Sequence, residues 1–348
     1  MATIPRTIEE VTPGWLCDVA GLRCEKADIT QIGVGIGVSS ALYRVALTGH
    51  GCPESVIVKL PALDDAAVFT STMLRMYIRE VRFFEELAGQ VPVRVPAFHH
   101  GEVDEETSQF VVVMEDMTAL RVVDQLEGMV IPDAERAVDA LARWHAQWWG
   151  KAEDLATSGL TVHLSDPIYP AVLPLVFGEG WEKLTTEHEL PASVLAVGPR
   201  FSDAIAALLQ DLAATPTTLC HGDYRADNIL FDERGEPALL DFQLIGTGGG
   251  AYDLAYFATQ SLRSGDAAEH ERRLFERWCD GLEAGGVPDL DREAEWLRYR
   301  KAALFCLVYP IVASRGMDLS DPRQRELIEV MDARFARAVE QLDLEALL

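Results

Sequence analysis

The hydrophobic pattern of this chain changes character near Glu115, and that change constrains the architecture more than any other feature. Before it, apolar residues come in short β-rich runs. Gln31 to Thr48 places a glycine cluster between two strand-like pieces, Ser55 to Leu60 (SVIVKL) forms a further strand, and Phe110 to Met114 (FVVVM) is a continuous apolar strand of the buried kind. One amphipathic helix interrupts them from Thr70 to Leu87, with Met73, Tyr77, Val81, Phe84 and Leu87 at helical spacing. After Glu115 the long patterns are helical. Pro132 opens a helix whose stripe is Val138, Leu141, His145 and Trp148, and two more helical patterns run from about Arg292 to Ala313 and from Asp321 to Leu342. Two short strand signals, Ile229 to Phe231 and Ala238 to Leu240, flank the turn DERGEP, and the stretch from Ala152 to Leu195, with scattered Gly, Pro and Ser, reads as the least regular part and as a candidate lining of the site. A β-rich part followed by a mainly helical one is an α+β plan, with a crevice between them as the expected ligand site.

Charge narrows the partners. The chain carries 30 Lys plus Arg against 56 Asp plus Glu, a formal charge of −26, which repels phosphate backbones and anionic lipid heads. The start, MATIPRTIEE, lacks the basic region and apolar run of a secretory signal, and the apolar stretch from Ala302 to Ala313 is broken by Pro310 and too short to cross a bilayer. The expectation is a cytoplasmic protein with neither nucleic acid nor membrane as partner; oligomeric state is not legible. Six cysteines stand without a CxxC pair or a Cys/His cluster, so neither a zinc site nor a disulfide framework is signalled.

The densest chemistry lies in Leu219 to Phe242, LCHGDYRADNILFDERGEPALLDF. Asp and Asn are common turn and cap residues, and taken singly Asp223, Asn228 and Asp241 fit that description. Their order is more specific. Phosphoryl transfer needs a carboxylate beside the attacking hydroxyl and oxygen ligands for the Mg²⁺ that bridges the phosphates, and D-x-x-x-x-N, an apolar strand, a turn and a strand-closing Asp supply these in the protein-kinase arrangement. Asp223 is the candidate for the first role, Asn228 and Asp241 for the second.

His221-Gly222-Asp223 through Phe231 resembles the HGDxxxxN motif of the aminoglycoside phosphotransferase and choline kinase superfamily, whose fold is protein-kinase-like. Asp241-Phe242-Gln243 and Tyr252-Asp253-Leu254-Ala255-Tyr256-Phe257 look most like its ecdysteroid-kinase-like branch. The resemblance covers Gln31 to Phe257. It implies a bilobal protein-kinase-like α+β fold, with a nucleotide-binding lobe over residues 1–114, a hinge over 115–121 and a helical lobe over 122–348 that carries the catalytic loop and acceptor site. It implies ATP with Mg²⁺, and an acceptor that is a hydroxylated small molecule: steroid-like or another alcohol, an aminoglycoside, or a related metabolite.

The same resemblance assigns further residues. Lys59 would contact the α- and β-phosphates, and Glu80 would pair with it, although Glu85 and Glu86 stand nearby. The carbonyl of Glu115 and the amide of Met117 would bond the adenine edge. Gly33, Gly35 and Gly37, followed by Ser39, form the candidate loop over the phosphates, where absent Cβ atoms let backbone N–H groups approach oxygen; the same residues also suit a plain hairpin tip. Arg225 stands where protein kinases usually carry a lysine that touches the transferring phosphate. His221 would brace the loop, Asp253 would cap a helix and bond back to that loop, and His145 reads as a satisfied core residue. Gln243 in place of the glycine of DFG, and the lack of an APE-type segment, disfavour a protein substrate. The competing expectation is a nucleotide-binding pseudokinase with a regulatory or scaffolding role.

Overall fold

The structure, a computed structural model, describes residues 4–33 and 39–348. The chain divides into two compact units, one of residues 1–120 with 239–244, the other of residues 121–238 with 245–348.

The first unit is built on a five-stranded sheet: β1 (Lys26–Ile32), β2 (Ser40–Thr48), β3 (Ser55–Pro61), β4 (Phe98–Val103) and β5 (Phe110–Glu115). Their order is β1-β2-β3-β5-β4 and every pairing is antiparallel. Burial follows position. In β2, Ala41, Tyr43, Val45 and Leu47 alternate inward, whereas in central β3 and β5 the runs Val56 to Leu60 and Phe110 to Met114 are buried throughout, as strands covered on both faces require. A short helix, α1 (Pro13–Ala20), adds Leu16 to this core. Thr12 caps its N-terminus, Pro13 occupies its first position, and Gly21 ends it with φ +67°.

The helix expected over Thr70 to Leu87 is not continuous. α2 (Asp65–Met73) stops, Arg75 adopts φ +55°, and α3 (Met76–Arg82) begins on a new axis that runs into a π-helical turn, Phe83–Leu87. Only the second piece buries the apolar stripe of Tyr77, Val81, Phe84 and Leu87; Met73 and Phe69 on α2 are exposed. Hydroxyl side chains explain part of the weakness of α2, since Thr70 and Thr72 donate to the carbonyls of Ala66 and Val68 one turn back.

The second unit is mainly helical: α4 (Ile131–Trp148), α5 (Glu153–Thr157), α6 (Ile168–Glu187), α7 (Ala192–Ala213), α8 (Ala251–Ser261), α9 (Ser264–Ala284), α10 (Arg292–Phe305), α11 (Val308–Ser314) and α12 (Pro322–Gln341). A small sheet places β10 (Gly246–Gly248) between β6 (Val162–His163) and β7 (Thr218–Cys220). β8 (Ile229–Phe231) leads into the turn before β9 (Pro237–Leu239), where the Asp232 carboxylate accepts the amides of Arg234 and Glu236 and Gly235 takes φ +79°.

Two expectations are corrected here. Ala152 to Leu195 is not irregular: it contains the 20-residue α6. Gly180 within it is a packing device, because a Cβ there would collide with the Ile311 carbonyl of α11. The pattern from Arg292 to Ala313 is two helices, α10 ending at Phe305 and α11 beginning at Val308 with Pro310 in its first turn. In addition, the 22-residue α7 is long and apolar enough by length and composition to cross a membrane, a property the shorter Ala302 to Ala313 run lacks. Its residues Val194, Val197, Phe201, Ile205, Leu208, Leu209 and Leu212 are buried in the helical core of the second unit.

Candidate active site

Within the first unit the chemistry centres on one buried cation. The alternation of β3 turns Val58 and Leu60 into the core under α1 and sends Lys59 to the other face, where α3 presents Glu80. Lys59 Nζ lies 2.5 Å from Glu80 Oε1 and 3.2 Å from Asp241 Oδ1. Lys59 is 4% exposed and Glu80 fully buried, whereas Glu85 and Glu86 face outward. Burial pulls the Lys59 pKa down, but the carboxylates of Asp241 and Glu80 outweigh it, so the net shift is upward and the ammonium stays charged. Burial pushes the Glu80 carboxyl up, against the pull of Lys59.

Asp241 is held by its neighbours in sequence. It has a left-handed backbone, φ +62°, the next residue Phe242 stacks on Phe83 with ring centroids 3.8 Å apart, and Gln243 is 3% exposed. The Gln243 side chain accepts from Ser39 Oγ, donates to Ser40 Oγ and bonds the Glu80 carboxyl. Ser39, read as part of the phosphate loop, therefore commits its hydroxyl to Gln243, and its carbonyl accepts the Tyr77 hydroxyl at 2.9 Å. Gly33 closes β1 with φ +65°; Gly35 and Gly37 lie outside the described residues.

Glu115 ends β5. Its amide donates to the Ala97 carbonyl, and its carboxylate takes Arg94 at 2.8 Å and the Ala97 amide at 3.0 Å. Met117 is buried and its carbonyl accepts the Leu120 amide. Asp116 between them was not singled out by the sequence. Burial opposes its ionisation, but the Ser55 hydroxyl, Thr118 and Arg44 prevail and hold its carboxyl below the usual range.

Within the second unit the centre is a carboxylate. Asp223 Oδ1 accepts the Tyr256 hydroxyl at 2.7 Å and Arg225 Nε at 3.2 Å, while Oδ2 accepts Asn228 Nδ2 at 2.7 Å. Asn228 also donates to the Asp223 carbonyl, so its carboxamide nitrogen faces Asp223 and its oxygen is the end left for another partner. Arg225 is ion-paired to Asp223 and to Asp227.

The loop carrying Asp223 is braced from below. Gly222 takes φ +84°, and the Asp253 carboxylate accepts the amides of His221 at 2.6 Å and Gly222 at 2.9 Å. Asp253 lies in the first turn of α8 and does not cap it; the N-cap is Gly250. His221 Nδ1 accepts the Asp223 amide at 3.3 Å, a brace as expected. His145 is a satisfied core residue: Nε2 meets Asp253 at 3.1 Å and Nδ1 accepts Trp278 Nε1 at 3.0 Å. His145, Cys220 and Asp253 offer ligand atoms within 4.8 Å of one another, a grouping the sequence did not signal, but the bonds just described commit the imidazole and the carboxylate. Sequence reasoning quoted Tyr256 within its motif and assigned it nothing; a tyrosine three residues after Asp253, on the same helical face, was the available signal.

The sequence profile described as the phosphotransferase enzyme family matches residues 30–296 of the chain. Among curated proteins no sequence matches significantly. Similar solved structures include a choline kinase from Cryptosporidium parvum, 10% identical over 95% of this chain and 92% of that one, with a TM-score of 0.57. A macrolide 2'-phosphotransferase from Brachybacterium faecium is 17% identical over 94% and 98%, with a TM-score of 0.51. An amicoumacin kinase in complex with AMP-PNP, Ca²⁺ and Ami is 13% identical over 95% and 94%, with a TM-score of 0.55. These likenesses show a kinase-like fold, with a β-sheet N-terminal region and a helical C-terminal region.

Proposed function

The chain belongs to the phosphotransferase enzyme family, and from that premise we propose that it transfers the γ-phosphoryl group of ATP to a hydroxyl of a small molecule. The observation that carries the reading is the buried Lys59 with Glu80 and Asp241. Burying an ammonium and a carboxylate is weak as a stabilising device, so such a cluster is better accounted for by work on an anionic ligand. The solved relatives are named as kinases or phosphotransferases of small molecules, which agrees with an acceptor of that size.

In this reading Lys59 meets the α- and β-phosphates and Glu80 holds it there. Backbone at Glu115 and Met117 receives the adenine edge, and Gly33, with Gly35 and Gly37, belongs to the loop over the phosphates. Asp223 orients the acceptor hydroxyl and takes its proton as the oxygen bonds the γ-phosphorus and the bond to the β,γ-bridging oxygen breaks, releasing ADP. Arg225 meets the charge on the phosphoryl group in flight. The carboxamide oxygen of Asn228 and the carboxylate of Asp241 are hard oxygen donors that suit Mg²⁺, which when bound would neutralise phosphate charge. Residues 1–114, 115–121 and 122–348 would then serve as nucleotide lobe, hinge and acceptor lobe. The cellular setting is proposed to be the cytoplasm.

The test is a screen for ADP release over hydroxylated amines, sugars, alcohols and antibiotics, run with wild type and Asp223→Ala. Turnover on at least one acceptor that vanishes in the variant, with nucleotide binding kept, supports the reading. Nucleotide binding with no turnover on any acceptor would favour a non-catalytic binder.

A further inference from the structure

The helix α8 is buried along its whole length, from Ala251 to Ser261, and, besides the Tyr252 hydroxyl on the Gly222 carbonyl, it touches the Asp223 loop at three points. Asp253 takes the amides of His221 and Gly222, Tyr256 donates to the carboxylate of Asp223, and Ser261 Oγ accepts the Ala226 amide at 2.9 Å. At about 100° per residue these three positions fall within one arc of the helix, so a single rigid element templates the loop. Two of the contacts hold backbone. Only Tyr256 reaches the group that would do the chemistry.

We infer that Tyr256 is the positioning residue for Asp223, holding the carboxylate by its Oδ1 so that the acceptor hydroxyl meets an oxygen already aimed; the inference rests on the phosphoryl-transfer reading. Asp223 has three side-chain donors, and two of them have other tasks in that reading. Arg225 would leave for the phosphoryl group, and Asn228 would be drawn on by the cation at its oxygen. Tyr256 has no such second task. Its ring is 5% exposed and stacks on Tyr309 with centroids 4.0 Å apart and planes 17° from parallel, which fixes the ring plane and with it the hydroxyl. Tyr309 in turn meets Tyr252, whose hydroxyl donates to the Gly222 carbonyl at 3.3 Å, so the array returns to the same loop. Burial, with the Asp223 carboxylate beside it, pushes the Tyr256 pKa well above its ordinary value and keeps the hydroxyl a donor at any working pH. A tyrosine suits the task better than a cation, because it bonds the carboxylate without neutralising the charge that must draw the proton.

The experiment compares Tyr256→Phe, Asp223→Asn and the double variant, on the acceptor found active in the screen. Phenylalanine keeps the ring and removes only the donor. Loss of a hydrogen bond to a charged group corresponds to a fall of about tenfold to a hundredfold in kcat, and the KM values for ATP and acceptor should stay within about twofold. Added to Asp223→Asn, the same change should have no further effect, because Tyr256 acts through the carboxylate already removed. An unchanged kcat in Tyr256→Phe, a rise in nucleotide KM equal to the fall in kcat, or a full further loss in the double variant would each overturn the inference while leaving the phosphotransferase reading in place. Wild-type turnover by Asp223→Asn would overturn both.

Discussion

The two charged clusters are built on opposite principles. In the first unit a cation, Lys59, is buried between two carboxylates, so charge is held by charge and the ammonium keeps its proton. In the second unit a carboxylate, Asp223, is held at one oxygen by a tyrosine and an arginine and at the other by an asparagine amide. The first arrangement suits a fixed positive charge that an anionic ligand can meet. The second suits a base that must stay ionised and correctly turned until a proton arrives. A chain selected for stability alone gains little from either, since apolar side chains of similar volume would serve a core as well.

Replacing one carboxylate of each cluster should break them differently. Asp223→Asn removes the proposed proton acceptor, and the expected loss in kcat is about a thousandfold, within the range for a positioned base, with nucleotide affinity measured by calorimetry unchanged. Glu80→Leu strikes the other cluster and should show first in stability, because Lys59 is left buried beside one carboxylate fewer. Urea unfolding should register a loss on the order of 3–5 kcal/mol. If Glu80→Leu proved neutral, the pair would not be the structural constraint described.

Smaller effects sharpen the contrast. Arg225→Ala should lower kcat by about tenfold to a hundredfold with little change in nucleotide affinity, as for a charge used on the transferring group; equal losses in both would assign it to binding. Gln243→Ala frees Ser39 and Ser40 from the segment that carries Asp241, and with each lost hydrogen bond corresponding to about twofold to tenfold, the KM for ATP should rise by at least about twofold. The pH response is the subtlest. Because the Lys59 pKa is raised above its unfolded value, its stabilising contribution is fully present below the ordinary lysine value, about 10.4, and is lost only as pH climbs beyond that. The stability difference between wild type and Lys59→Met should therefore shift above pH 10 or so as Lys59 titrates, and any slope at lower pH reports Glu80, whose carboxyl burial pushes up once the ammonium is gone. Absence of any shift above pH 10 would mean that Lys59 is not the charged member.

Sequence reading reached these clusters unequally. Asp223 and Asn228 were legible because a fixed spacing in a short loop is a local property, and Lys59 because it interrupts a β-branched run. Glu80 was named against Glu85 and Glu86, but the break that aims it was not. Arg75 carries no sequence signal for a left-handed backbone, and the apolar stripe continues across it as if the helix did. α6 escaped for a related reason: Pro174 within it, and Gly180, whose absent Cβ admits the Ile311 carbonyl, read as punctuation until their packing is known. The parts of Tyr256 and Gln243 depend on residues 33 and more than 200 positions away in sequence, Asp223 for the first and Ser39 and Ser40 for the second, and no local pattern encodes such pairings. The α+β plan itself rests on periodicity, which is local, and it was readable.

The most direct test of the central claim is ³¹P NMR of ATP turnover with an acceptor identified by the screen, comparing wild type with Asp223→Asn at saturating nucleotide. The account predicts a new phosphate-ester resonance that grows in step with ADP for wild type and is absent for the variant, although the variant binds ATP as tightly. An ester formed at the wild-type rate by Asp223→Asn, or ADP and inorganic phosphate as the only products of the wild-type enzyme, would contradict it.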